Sequence, residues 1–185
     1  MIYVIDHEDS FTYNLVHLLE GFAPTYVSNY YDINWHQLEK SKIIIFSPGP
    51  GNPSHYPETQ TVYKKYKGNK KIIGICLGFQ QILYAENANI VPQKKIYHGY
   101  QSKVKALKES ALFKANKVFL AGRYHSLKLK EPFNSSSLKI TMRCVESNVA
   151  MAIEDTINNV YGFQFHPDSF LTVDGKFLIQ KVLQF

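Results

Sequence analysis

The sequence feature that most constrains the fold is the run Lys71–Ile82, which reads KIIGICLGFQQI. The short apolar segment Ile72–Ile75 is followed by Cys76 and then by a helix-like pattern, so the run predicts a strand, a sharp turn and a helix. Gly74 and Gly78 lie two residues on either side of Cys76. Small residues at these places let the backbone turn tightly without side-chain clashes. The run therefore predicts a thiol that projects from the end of a strand.

This predicted turn places Cys76 in surroundings that suit a nucleophile. The N-terminus of the following helix points at the thiol, and its N–H groups and dipole favour a thiolate and a developing oxyanion. The alternative is a buried cysteine in a core strand, where most free cysteines lie. We favour the reactive cysteine because Gly74 and Gly78 have no simple structural explanation otherwise.

The first half of the chain alternates strand and helix patterns, which predicts a doubly wound, mostly parallel sheet flanked by helices. The predicted strands are Ile2–Asp6, Thr25–Tyr30, Lys42–Ser47 and Ile72–Ile75. The predicted helices run from a cap at Ser10 to near Gly21, and over Trp35–Lys40, Pro57–Tyr66 and Leu77–Ala85.

The second half is richer in strand patterns and predicts additional antiparallel strands, so the fold class is α/β. The predicted elements are strands at Lys95–Leu107, Val118–Ala121, Leu138–Val145, Val149–Glu154 and Tyr161–Phe165, and a helix at Gly175–Leu183. Without a repeat, a low-complexity tract or a linker, residues 1–185 are expected to form a single domain.

Composition narrows the class of protein. The net charge of +6 invites nucleic-acid binding, but the lysines are scattered and no zinc-ligand spacing or RNA-binding aromatic motif accompanies them. We expect a solvated basic surface and no nucleic-acid partner, although a docking face for an acidic protein stays open. The N-terminus lacks signal-peptide features, no apolar run is long enough to cross a membrane, and two cysteines make no disulfide framework. A cytoplasmic protein without a membrane association is the expectation.

Three unusual segments follow predicted strands, and ligands of parallel sheets bind outside the carboxyl ends of the strands. They are the Cys76 turn, the proline- and glycine-rich loop Ser47–Pro53, and Gln164–Asp168. The loop either exposes N–H groups to an oxyanion or is simply a rigid connection.

His166 is the best candidate base for Cys76, with Asp168 placed to orient its ring; the alternative is a solvent-exposed histidine. His125, in Arg123–Leu127, is a rival base, and Ser126 is a possible substrate contact. Metal-ligand clusters, Walker loops and dinucleotide fingerprints are not found in the sequence.

Taken together, these segments resemble the class I glutamine amidotransferases, and more narrowly the small subunit of anthranilate synthase and its relative in 4-amino-4-deoxychorismate (para-aminobenzoate) synthase. The resemblance runs from Asp6 to the C-terminus. The segments that carry it are Asp9–Leu15, Ser47–Pro53, Gly74–Gln80, His98-Gly99, Arg123–Leu127 and Gly162–Leu171.

The resemblance implies hydrolysis of L-glutamine to glutamate and ammonia, with the ammonia delivered to a chorismate-using synthase subunit in a hetero-oligomer. It implies that Cys76 is the nucleophile, His166 the general base and acid, and Asp168 the third member of the triad. It also implies an oxyanion hole formed by the N–H groups of Leu77 and Gly51. The implied glutamine-binding positions are Gly49, Pro50, Gly51, Leu77, Gln80, Ser126 and Leu127. No cofactor or metal is expected in this subunit, whereas the partner synthase is expected to need Mg²⁺.

Three departures from the family pattern bear on this expectation. Asp168 stands where the family usually has Glu, so its carboxylate is one methylene shorter and activity is expected to be weakened rather than abolished. Tyr100 and Glu154-Asp155-Thr156 replace usually basic residues, which predicts an altered partner interface. A subunit that has lost catalysis and acts as a partner-binding scaffold is therefore the alternative. Gly51 and Phe163 slightly favour the anthranilate synthase type over the aminodeoxychorismate synthase type.

Overall fold

Isoleucine-rich strands that are buried on both faces form the centre of the fold. The computed structural model describes residues 1–185. Nine strands form one sheet in the order β2-β1-β3-β4-β11-β10-β9-β6-β7, and β5 and β8 form a separate pair. The strands are β1 Ile2–Asp6, β2 Thr25–Asn29, β3 Ile43–Phe46, β4 Lys71–Ile75, β5 Ile90–Pro92, β6 Tyr100–Ala106, β7 Val118–Arg123, β8 Leu127–Leu129, β9 Lys139–Cys144, β10 Ala150–Asp155 and β11 Val160–Phe163.

Five α-helices connect and cover these strands, and none of them is long and apolar enough to cross a lipid bilayer. A short 3-10 helix, Pro53–His55, follows β3. The helices are α1 Thr12–Glu20, α2 Trp35–Lys40, α3 Pro57–Tyr66, α4 Leu77–Ala85 and α5 Gly175–Gln184.

The direction of the strands explains why distant segments meet. Strands β2, β1, β3, β4 and β11 run parallel to one another, and every later pairing through β10, β9, β6 and β7 is antiparallel. Three successive reversals from β10 to β7 return β7 to the direction of β4. The carboxyl ends of β1, β3, β4, β11 and β7 therefore share one edge of the sheet. The predicted α/β fold, with antiparallel strands in the second half, is confirmed.

Strand β1 shows how the sequence supplies two hydrophobic layers. Successive side chains of a strand point to opposite faces. Ile2 and Val4 accordingly pack in the layer that contains α1 and α5 residues, whereas Tyr3 and Ile5 pack in the layer that contains α3 and α4 residues. A strand covered on both faces must be apolar throughout, which is why the alternating pattern of a half-exposed strand is missing here.

Several predicted boundaries are wrong for identifiable reasons. Ser10 does not cap α1, which begins at Thr12; the carboxylate of Asp9 instead accepts the Phe11 N–H at 2.8 Å. The strand predicted from Lys95 begins only at Tyr100, because Gly99 at φ +78° breaks the extended backbone. The short β5–β8 pair was not predicted, since three-residue strands carry too little sequence pattern to detect.

The acidic residues at the end of β10 are structural and do not form an exposed interface. Glu154 is buried, and its carboxylate accepts the Ser110 hydroxyl and the Ala111 N–H at 2.7 and 2.8 Å. Asp155 is likewise buried and accepts the hydroxyl of Ser137 and the side-chain amide of Asn158. Each of these two carboxylates therefore stabilises a neighbouring loop, and the altered partner interface stays a prediction.

The first prediction concerns Gly78, whose close approach to β3 positions the Cys76 turn. A Cβ atom at Gly78 would lie 2.1 Å from the carbonyl oxygen of Phe46, which is a backbone atom that cannot move freely. Gly78→Ala is therefore expected to lower the free energy of unfolding by at least about 2 kcal/mol, measured by chemical denaturation. The control is Gly21→Ala, where φ is −64° and the nearest atom would lie 3.3 Å away. Equal stability of the two variants would contradict the account of the turn.

Candidate active site

Cys76 occupies a strained turn between β4 and α4. Its φ and ψ are 53° and −100°, a left-handed conformation that is rare for residues with a side chain and is found chiefly where function requires it. The Cys76 N–H donates to the carbonyl of Phe163 in β11 at 2.8 Å, which ties the turn to the neighbouring strand. A Cβ at Gly74 would lie 2.3 Å from the backbone of Gly78, so the two glycines are packed against each other. The strand–turn–helix predicted from the sequence is confirmed.

This turn puts the cysteine at the N-terminus of α4. Leu77 is the first residue of the helix, and the first N–H groups of a helix have no partner within it. Cys76 itself is only 7% exposed. A carbonyl carbon that reaches the sulfur therefore brings its oxygen to the unpaired N–H groups and the positive end of the helix dipole.

The proline- and glycine-rich loop that follows β3 forms a second side of the site. His7 N–H donates to the hydroxyl of Ser47 at 2.9 Å, and the hydroxyl of Tyr56 donates to the carbonyl of Pro50 at 2.7 Å. Gly49 leaves no room for a side chain, since a Cβ would lie 2.5 Å from both His7 Cβ and Leu77 Cδ2. The loop is thus held in one shape against the first residue of α4.

Together these segments line one cleft of about 210 Å³ that opens at the carboxyl edge of the sheet. All seven glutamine-binding positions implied by the sequence line this cleft with Cys76; their role as ligand contacts stays a prediction. The remaining lining residues are Asp9, Tyr124 and His125. The cleft is large enough for a small amino acid and is walled mostly by polar groups.

His166 is not among the residues that line this cleft and is only 1% exposed. Its ring packs edge-on between those of Phe11 and Tyr124, with centroids 4.9 and 5.0 Å away. Its backbone N–H donates to the carbonyl of Gly122 in β7 at 2.9 Å. Phe11, just before α1, and the end of β7 therefore hold the histidine that the sequence predicts as the base.

The electrostatics of His166 depend on its two neighbours. Burial opposes the charged ring, but the facing Cys76 sulfur and the Asp168 carboxylate outweigh burial and raise the pKa of His166 to about 10. His166 is therefore an imidazolium at neutral pH, ready to donate a proton. Neither ring nitrogen of His166 makes a hydrogen bond, and the ring faces the sulfur of Cys76 as in a cysteine–histidine pair that can exchange a proton.

Asp168 does not reach His166 well. The distance from Asp168 Oδ1 to His166 Nδ1 is 3.7 Å, which is short enough for a Coulombic contact and too long for a hydrogen bond. The Asp168 side chain is fully buried, and neither carboxylate oxygen has a hydrogen-bond partner. The shorter side chain expected from the sequence thus leaves a gap between the Asp168 carboxylate and the His166 ring.

His125, the rival base, is excluded by its contacts. Its Nδ1 donates to the carbonyl of Leu127 at 2.8 Å, and its Nε2 accepts from Arg123 Nε at 3.1 Å. Burial, together with the charges of Arg123 and His166, lowers the pKa of His125 to about 3. With both ring nitrogens engaged and the ring neutral, His125 cannot exchange a proton with Cys76.

Sequence reasoning missed the contribution of Gln164. This buried side chain lies between Gln80 and the turn: its Oε1 accepts from Gln80 Nε2 at 3.0 Å, and its Nε2 approaches the Cys76 carbonyl and sulfur at 3.5 and 3.9 Å. The only available signal was its position two residues before His166. No group of three or more His, Cys, Asp or Glu side chains lies close enough together to hold a metal ion.

Comparison with known proteins identifies the family of the chain. Residues 3–184 match the family model of the class-I glutamine amidotransferases. The chain is 36% identical to anthranilate synthase component 2 of Lactococcus lactis, over 97% of this chain and 92% of the relative. It is 37% identical to anthranilate synthase component 2 of Pyropia yezoensis over the full length of both chains.

A solved structure extends the likeness to the fold. The crystal structure of a Thermoplasma acidophilum protein, described as one component of a GMP synthase, superimposes with a TM-score of 0.84, at 19% identity, over 99% of this chain and 92% of the other. At that identity the superposition supports the fold alone. The family match over residues 3–184 and the relatives above show that this chain belongs to the class-I glutamine amidotransferases.

Proposed function

We propose that this chain hydrolyses L-glutamine to glutamate and ammonia through a thioester on Cys76, and that it passes the ammonia to a chorismate-using synthase subunit. The observation that carries the proposal is a cysteine that lines a cleft at a helix N-terminus and faces the buried ring of His166. The names of the relatives favour an anthranilate synthase over an aminodeoxychorismate synthase.

The chemistry follows from the geometry of the cleft. The thiolate of Cys76 attacks the side-chain amide carbon of glutamine, and the carbonyl oxygen becomes an oxyanion that the N–H groups of Leu77 and Gly51 stabilise. The carbon–nitrogen bond then breaks as His166 protonates the departing ammonia, leaving a γ-glutamyl thioester. His166 next takes a proton from water, whose oxygen attacks the thioester, and glutamate leaves as the thiolate re-forms.

In this proposal the other cleft residues hold the substrate. Gly49, Pro50, Gln80, Ser126 and Leu127 surround the space above the sulfur, where the amino and carboxylate groups of glutamine would bind. The protein works in the cytoplasm without a cofactor of its own, and Mg²⁺ serves the partner synthase. Neither nucleic acid nor a membrane takes part.

The second candidate function is a partner-binding scaffold with a weakened or lost activity. The 3.7 Å gap between His166 and Asp168 favours it, because the buried carboxylate gives the imidazole no hydrogen bond that would hold its orientation. A glutamine analogue with a diazoketone side chain separates the two functions. Covalent labelling of Cys76 by this analogue would rule out an inactive scaffold.

The second prediction tests the nucleophile in the complex with the chorismate-using synthase. Cys76→Ser is expected to reduce glutamate release from glutamine at least 100-fold, because a neutral hydroxyl replaces the thiolate. Activity of the same complex with ammonium salts in place of glutamine should be unchanged, which shows that the variant still folds and binds. Glutamine-dependent turnover by Cys76→Ser would contradict the assignment. Fluorescent anthranilate is the expected product from chorismate; aminodeoxychorismate would assign the chain to the other synthase.

The third prediction concerns the reach of Asp168. Asp168→Glu adds the missing methylene and is expected to raise kcat about tenfold, since a hydrogen bond to a charged group contributes about 1.5 kcal/mol and tenfold in rate corresponds to about 1.4 kcal/mol. Asp168→Asn keeps the size but removes the charge that raises the pKa of His166, and is expected to lower kcat. Steady-state glutaminase kinetics check both variants. A longer side chain that leaves kcat unchanged, in a protein that melts like the wild type, would contradict the reach argument.

A further inference from the structure

Behind the cleft lies a buried charge that the proposed reaction does not use. Arg123, at the end of β7, is fully buried, yet its guanidinium is in none of the salt bridges of the protein, and Nη2 has no hydrogen-bond partner. A buried charge without a carboxylate partner costs folding free energy, and apolar residues of similar volume are usually at least as stable. Stability alone therefore does not explain an arginine at this position.

The contacts of Arg123 lead directly to the wall of the cleft. Its Nε donates to His125 Nε2 at 3.1 Å, and His125 Nδ1 donates to the carbonyl of Leu127 at 2.8 Å. Because a carbonyl oxygen only accepts, the proton of the ring lies on Nδ1 and the lone pair lies on Nε2, facing the guanidinium. Only the neutral ring fits between these two partners.

Other groups hold the guanidinium in its plane. Its carbon lies 3.4 Å from the centre of the Tyr97 ring, and Nη1 donates to the sulfur of Cys144 at 3.4 Å. The Cys144 thiol in turn donates to the Glu146 carboxylate at 3.1 Å. The Tyr97 ring on one face and the Cys144 sulfur at the edge therefore fix the direction of the Nε–H bond towards His125.

Hydrogen bonds from Gln93 also hold the segment that contains Ser126 and Leu127. Gln93 N–H donates to the carbonyl of Ser126 at 2.9 Å, and its side-chain amide donates to the carbonyl of His125 at 2.6 Å. Ser126 and Leu127 both line the cleft. Within this segment, the Leu127 carbonyl is held by His125, and through it by Arg123.

We propose that Arg123 is a positioning residue for the glutamine cleft: it holds His125 as the neutral tautomer that anchors the Leu127 carbonyl, and so sets the shape of the Ser126–Leu127 wall. The proposal rests on glutamine binding in this cleft. The Arg123–His125 pair makes no hydrogen bond to Cys76 or His166. Its loss weakens substrate binding and leaves the chemical step intact, so the effect falls on KM rather than kcat.

The fourth prediction tests this role with Arg123→Met, which removes the donor and the unpaired charge at similar volume. KM for glutamine is expected to rise at least tenfold with kcat within about threefold, and the alkylation rate of Cys76 by iodoacetamide should match the wild type. Arg123→Lys, which keeps the charge but lacks Nε, should also raise KM. Arg143→Met is the matched control, since Arg143 lies in β9 and pairs with Glu131 instead. Unchanged KM in both Arg123 variants would overturn the proposal.

A double-mutant cycle separates this role from a general packing effect. If Arg123 acts through His125, the KM of the Arg123→Met/His125→Ala double variant equals that of His125→Ala alone. If the two substitutions instead multiply each other's effects on KM, the proposal that Arg123 acts through His125 is overturned. In Arg123→Met, the imidazole NMR signal of His125 should also titrate at a higher pH, because the repelling charge is gone. Absence of glutamate release by the wild type would defeat the proposed function itself; normal wild-type turnover with unaltered Arg123 variants would defeat only this inference.

Discussion

The strained turn at Cys76 is the constraint on which the rest of the site depends. A side chain at φ 53° and ψ −100° persists only when the surroundings enforce it, and here Gly74 and Gly78 pack without room for a Cβ against each other and against β3. The turn projects the thiol into the cleft and aims α4 at it. The loop after β3 also depends on this packing, because Gly49 lies against Leu77, the first residue of that helix.

The second requirement is a charged side chain that is buried away from water. His166 is buried between two aromatic rings, and it stays protonated because Cys76 and Asp168 face it. The same enclosure makes the Asp168 carboxylate consequential, since its oxygens have no other partner. His125, which lines the cleft, is kept neutral by burial and by the Arg123 guanidinium. Two neighbouring histidines thus carry opposite protonation states, one suited to proton transfer and the other to a fixed hydrogen bond.

Much of this arrangement could be predicted from the sequence, because the signals were local. The Gly74–Gly78 spacing predicts the turn, and the apolar runs predict the central strands with nearly correct bounds. What could not be predicted depends on distances across the fold. Whether Asp168 reaches His166, which partners surround His125, and that Gln164 lies against Cys76 are set by contacts between segments far apart in the chain. Glu154 looked like a surface change in the sequence, yet it is a buried partner of the Ser110 loop.

Trapping the covalent intermediate tests the central claim most directly. The wild-type protein, with its synthase partner, is mixed with glutamine, quenched in acid during turnover and digested for mass spectrometry. The account predicts a γ-glutamyl adduct on the peptide that contains Cys76 and none on the peptide that contains Cys144, the other free cysteine. Because His166 is needed to activate water for the second step, His166→Asn should accumulate any adduct that it forms. Steady glutamate release without an adduct on Cys76 at any quench time would contradict the account.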